Sequence, residues 1–244
     1  MGFEKEMLDY ANRKTPLCIE NDTISGDLFK EYGVNRGLRD VNGKGVLTGL
    51  TNISEIISFK DINGEKHVPC EGELWYRGYN VRSLVQEYGW QGFGFEKCAY
   101  LLLFGELPDD QSSQEFIDVL ARSRNLPTNF TRDVIMKAPT KDIMNSMTRS
   151  ILTLASYDKN ASHTDIPTVI RQSLMLIATF PMLAVYGYHA YNHYINDDSM
   201  YIHRPDPQKS TAENILMMLR PDKKYTPTEA AVLDTALILH MEHG

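Results

Sequence analysis

One stretch of the chain departs from helical periodicity. Over residues 46–79, Ile56-Ile57-Ser58-Phe59 and Glu65-Lys66-His67-Val68 flank Asn63-Gly64, a dipeptide that readily takes the two positive φ angles of a type I′ turn. The run GELWYRGY follows as a third short extended segment, so a small sheet is expected early in the fold. Beyond it, helix follows helix. Gly89, Gly92 and Gly94 read as a turn between helices. Asp109 or Ser112 can cap a helix carrying Phe116, Ile117 and Leu120, which ends before Asn125-Leu126-Pro127. Residues 142–157 repeat the pattern with Ile143, Met147, Ile151 and Leu154. Ser210-Thr-Ala-Glu213 and Thr226-Pro-Thr-Glu229 read as capping boxes, the second with proline at the first helical position.

Two apolar segments stand out. Residues 174–191, LMLIATFPMLAVYGYHAY, have the length of a membrane span, but Thr179, Pro181, Gly187 and His189 interrupt them and the flanks lack a basic cluster. A buried helix pair or an interface helix is expected there, and no membrane span. In the final helix, Leu233, Ala236, Leu237 and His240 share one face while Ala231, Ile238 and Leu239 cover the other sides, which predicts burial nearly all round. So much apolar face predicts self-association.

The final helix ends in His240 and His243, one turn apart, which burial would carry into the interior or a cleft. Three readings stand side by side. Imidazoles in a last helical turn are stabilised by the partial negative charge of the helix end. An H-x-x-H pair can place two nitrogens on a metal ion, although the order H-M-E-H is not the zincin H-E-x-x-H and no third ligand stands nearby. Such a pair can also bind an anion or do acid–base work, because a charged imidazole donates from both nitrogens.

A net charge of −7 over 244 residues, with Lys223-Lys224 as the densest basic group, excludes a phosphate-tracking nucleic-acid face. Cys18, Cys70 and Cys98 are odd in number and far apart, which suits a reducing cytosol better than a disulfide framework or zinc ribbon. The N-terminal residues lack an apolar signal-peptide core, and Glu6 stands where myristoylation needs Ser or Thr. Sequons at Asn52, Asn129 and Asn160 therefore carry no expectation of glycans. Gly43-Lys-Gly45 with Gly49 misses the dinucleotide fingerprint at Thr48, and neither a P-loop nor a G-x-S-x-G elbow occurs.

Gly37-Leu-Arg, GVLTGLTNISEI, GELWYRGYNVRSL and ALILHMEHG, in this order and spacing, are similar to successive landmarks of the citrate synthase family. The strongest pieces are YRGY at 76–79 and H-x-E-H-G at 240–244. The resemblance implies a mainly α fold: a multi-helical citrate-synthase-like large domain with a small N-terminal β-hairpin or sheet. It implies a cytoplasmic homodimer of the tricarboxylic acid cycle that condenses acetyl-CoA with oxaloacetate, with acetyl-CoA as substrate and no further cofactor. A 2-methylcitrate synthase, taking propionyl for acetyl, and a noncatalytic helical module are the alternatives.

By the same resemblance, His243 matches an oxaloacetate-binding histidine and His240, one turn back, helps shape that site. The family's later glycine-rich turn, catalytic histidines, aspartate base and substrate-binding arginines do not occur in these 244 residues. The chain is therefore expected to be the N-terminal part of the large domain, to hold none of the catalytic set and no metal, and to be inactive alone. Where relatives commonly read His-Pro-Met before a long helix, Asp142-Ile143-Met144 stands here, so no role is carried onto that segment.

Overall fold

The computed structural model describes residues 2–34, 49–62 and 65–242; Gly37-Leu-Arg, Gly43-Lys-Gly45, the Asn63-Gly64 turn and His243 lie outside the described residues. Two helices come first, α1 (Gly2–Asp22) and α2 (Gly26–Glu31). A three-stranded antiparallel sheet follows, in the order β1 (Ser54–Ile62), β2 (Glu65–Tyr76), β3 (Tyr79–Asn80). The rest is helical: α3 (Val81–Tyr88), α4 (Gly94–Phe104), α5 (Asp110–Ser123), a π-helical turn (Thr131–Ile135), α6 (Ile143–Ala155), α7 (Ile166–Ile195), α8 (Thr211–Leu219) and α9 (Pro227–Leu239). The mainly helical architecture with a small early sheet is as the pattern predicts.

The sheet differs from expectation in one respect. GELWYRGY is not a third strand: its first five residues complete β2, which stays paired with β1 from Ile62 opposite Glu65 to Ser54 opposite Tyr76. Register irregularities between Ile57 and Phe59 and between Lys60 and Ile62 let the two strands stay paired as they twist. The break comes at Arg77-Gly78, whose φ angles of 48° and 82° give the two positive values of a type I′ turn and bring Tyr79 opposite Tyr76.

Local capping chemistry sets the helix starts. Asp109, not Ser112, caps α5, with the Ser112 N–H donating to its carboxylate at 2.7 Å. Asp142 caps α6 through the Asn145 N–H at 3.0 Å. Both predicted boxes close. Glu213 N–H donates to Ser210 Oγ at 3.2 Å while Ser210 N–H donates to Glu213 Oε2 at 2.8 Å. Thr226 and Glu229 exchange the same pair of bonds at 3.2 and 2.7 Å.

The 174–191 segment lies within one continuous helix, α7, of 30 residues and about 45 Å. By length and composition α7 could cross a membrane; half of its most apolar window is buried against neighbouring helices. Ile170, Leu174 and Ala178 pack with Tyr10, Tyr100, Phe104 and Phe116, whose rings meet edge to face. Further along, Leu183, Tyr186 and Ala190 pack with Leu154, Met217 and Met218. A third cluster joins Tyr76, Val81, Leu84, Cys98, Leu101 and Ile238 and so ties the sheet to α3, α4 and α9.

Candidate functional site at the end of helix α9

Helix α9 is not buried all round. Only Asp234 and Ile238, one turn apart, are fully enclosed, while Val232 and Leu239 are 58% and 43% exposed. On the face shared by Leu233, Ala236, Leu237 and His240, the first three are half-buried and His240 is exposed. A helix apolar on every side gives no preferred face, so contact is set by its neighbours. Here α3, α4 and α8 meet it along a narrow stripe.

His240 ends α9 and does not enter a cleft. Its Nδ1 lies 2.7 Å from the Ala236 carbonyl, which can only accept, so Nδ1 carries a hydrogen and satisfies one of the helix's terminal carbonyls. The described part of the pair thus has the helix-end geometry. Among the described residues, no group of three or more His, Cys, Asp or Glu is gathered as a metal site would require.

The two motifs that sequence reading singled out meet in space. Tyr76, fully buried at the end of β2, places its hydroxyl 2.9 Å from the Ile238 carbonyl and 3.1 Å from that of Glu242. Its neighbour Arg77 ties the hairpin down elsewhere: its guanidinium donates to the Asn21 and Leu102 carbonyls at 3.3 and 3.0 Å and pairs with Asp22. The YRGY turn is thereby fixed to α1 and α4 while its tyrosine holds the end of α9.

Two buried acids that sequence reading did not assign lock α9, α4 and α8 together. Phe93, at the start of α4, has φ of 59° and offers no side-chain cap. Asp234 of α9 takes that place, accepting from the Phe95 N–H at 3.2 Å with the Gly94 N–H also facing it. Position 94 must be glycine, because a Cβ there would stand 2.5 Å from Asp234 Oδ2 and 2.9 Å from the Tyr88 carbonyl. Glu96 of α4 in turn accepts from the Thr211 N–H and hydroxyl at 2.7 and 2.8 Å, at the start of α8. The signal for both is an acid inside an otherwise apolar helix, which burial makes costly without a partner.

Burial, with Glu96 close by, pushes Asp234 from its ordinary 3.8 up to about 6 against the pull of the Phe95 and Gly94 N–H groups. The folded protein therefore holds this proton more tightly than the unfolded chain. The contribution is complete below pH 3.8 and is lost as pH rises through about 6. Relative to Asp234→Asn, the wild-type chain should lose on the order of 2–3 kcal/mol of stability between pH 4 and pH 7. Parallel denaturant curves at the two pH values, with no change in the difference, would discard this assignment.

The family model described as citrate synthase, C-terminal domain, matches residues 37–244. The chain belongs to the citrate synthase family. A citrate synthase of Corynebacterium glutamicum is 26% identical over 250 residues, covering 99% of this chain and 54% of that protein. 2-Methylcitrate synthase 2 of the same bacterium is 26% identical over 204 residues, covering 81% and 48%. The Thermoplasma acidophilum citrate synthase, solved as a ternary complex with carboxymethyl coenzyme A and oxaloacetate, shares the fold with a TM-score of 0.64 at 21% identity, over 91% of this chain and 49% of that one. The chain spans about half the length of the relatives it matches.

Proposed function

We propose that this chain is the N-terminal part of the large domain of a cytoplasmic citrate synthase, which condenses acetyl-CoA with oxaloacetate to give citrate and CoA. The observation that carries the reading is the Tyr76 hydroxyl at the end of α9, which joins the YRGY turn to the H-x-E-H segment across the fold. A thioester α-proton is a very weak acid. Its removal needs a base together with a dry, preorganised site for the developing oxyanion, and a ketone held in place to receive the new bond. In this reading the chain contributes to holding the ketone: His243 binds oxaloacetate, His240 shapes the helix end beside it, and no cofactor beyond the acyl-CoA substrate takes part. The base and the enol-stabilising groups belong to a part of the family's length outside this sequence.

The test is His243→Ala in the protein read through to the family's full length, with release of free CoA thiol followed. Loss of about 2–4 kcal/mol of transition-state stabilisation, seen mainly as a raised oxaloacetate KM with the fold intact, supports the reading. Wild-type kinetics in that variant would return His243 to a helix-end role. The 26% identity to a 2-methylcitrate synthase keeps propionyl-CoA as the alternative acyl donor, and the same assay with both thioesters separates them.

Self-association belongs to the same proposal. Val169, Phe180, Tyr188 and Ile195 lie exposed along one side of α7, an apolar stripe suited to a second copy of the chain. Sedimentation at micromolar concentration should show a dimer, and a stable monomer would count against it.

A further inference from the structure

We infer that Tyr76 is a positioning residue for oxaloacetate: its hydroxyl fixes the course of the backbone between the last turn of α9 and the residue preceding His243. The inference rests on the citrate synthase reading and assigns a role within it to a residue that does not itself touch substrate.

Three observations carry it. First, the segment leaving α9 is loosely held by its own backbone: the His240 and Met241 N–H groups reach the Leu237 and Ile238 carbonyls at 3.2 and 3.5 Å. Second, the Tyr76 hydroxyl supplies what those bonds lack, since it faces the carbonyls of Ile238 and Glu242 and lies 3.4 Å from the Glu242 N–H. One group thereby spans the last turn of the helix and the segment after it: its single hydrogen serves one of these two carbonyls at a time, while its oxygen faces the Glu242 N–H. Third, the tyrosine is itself immobile. It is wholly buried with Leu84, Cys98, Leu101 and Ile238, and the positive-φ turn behind it is clamped through Arg77. Burial raises the phenol above its ordinary value and the Glu242 and Met241 N–H groups only partly offset this, so the hydroxyl stays a donor across the working pH range.

A histidine that orients a dicarboxylate must be held within about half an ångström of its productive place, and the Tyr76 hydroxyl adds to the bonds that hold the backbone leading to it. Loss of the Tyr76 hydroxyl should therefore be felt in substrate binding more than in the chemical step.

The experiment is Tyr76→Phe, which keeps the ring and its packing and removes one oxygen, set beside Leu84→Ala, which loosens the same core without removing a hydrogen bond to the segment. In the protein read through to the family's full length, Tyr76→Phe should raise the oxaloacetate KM about threefold to tenfold. The change in kcat should stay within about twofold, and the acyl-CoA KM should not move. In the 244-residue chain the Met241 and Glu242 amides should exchange faster with solvent. Leu84→Ala should lower stability and leave the oxaloacetate KM and those two amides as in the wild type. An unchanged oxaloacetate KM in Tyr76→Phe, or a rise matched by Leu84→Ala, overturns the inference while condensation by the wild type leaves the parent reading intact. A full-length wild type that fails to condense overturns the parent reading and the inferred role with it, whatever the exchange rates.

Discussion

Arg124→Ala should lower the unfolding free energy by about 3–5 kcal/mol, among the largest effects of any single substitution in this chain. The side chains of Arg124 and Glu96 are 4% and 0% exposed. Arg124 donates to the Lys209 carbonyl at 2.7 Å, to Thr211 Oγ1 at 3.2 Å and to Glu96 at 3.3 Å. Burial raises the Glu96 pKa despite two bonds from Thr211, and lowers that of Arg124 despite its acidic neighbours. Desolvation thus outweighs attraction at both ends of the pair. Removing the cation alone leaves a carboxylate buried with no compensating charge. Glu96→Gln should cost much less, because an amide oxygen still accepts from Thr211, and adding it to Arg124→Ala should recover most of the loss. A denaturant-unfolding double-mutant cycle reads this coupling directly. If Arg124→Ala and the double variant were equally unstable, the buried charge would not be the cause.

The 244-residue chain by itself should release no CoA thiol from acetyl-CoA and oxaloacetate above the uncatalysed rate. Condensation needs a base, an oxyanion stabiliser and carboxylate-binding cations that act as one unit, and removing members of such a unit lowers the rate far more than additively. His240 and His243 cannot replace them. Dicarboxylate binding should also be weak, since few partners offset its desolvation and the negative end of α9 opposes an anion unless an imidazole beside it is charged. Turnover near that of a full-length relative would mean that residues of this chain do the chemistry and that their roles have been misplaced.

What could be read from the sequence was what is decided locally. Both capping boxes lie within four residues of the groups they satisfy, so their bonds appear as foreseen. β2 runs on through Gly72, where the sequence suggests a new strand, because that glycine keeps an extended backbone and the positive φ angles fall at Arg77-Gly78. The orientation of α9 was out of reach for a different reason. Its packing is dictated by Gly94, Phe95 and Tyr76, which reach it from far upstream; Tyr76 and Ile238 are 162 positions apart. Asp234 was visible as an acid in an apolar helix, but its partner was not, because the N-terminus it caps belongs to another helix. The two motifs pointed to a family without indicating that one tyrosine joins them.

Helix α1 carries a consequence for how the protein is made. Its buried residues Met7, Tyr10 and Ala11 share a core with Ile170, Leu174 and Ala178 of α7, so Tyr10 is translated 160 residues before Ile170. At ~5–20 residues per second that interval is roughly 10–30 s. During it, α4 and α5 emerge and offer Tyr100, Phe104 and Phe116 as partial cover, but the α7 side of α1 stays open to water and to other nascent chains. Helix α1 leaves the ribosome well before the helix that seals it. Holdase chaperones should therefore bind nascent chains that end before residue 166 and release those that extend past α7.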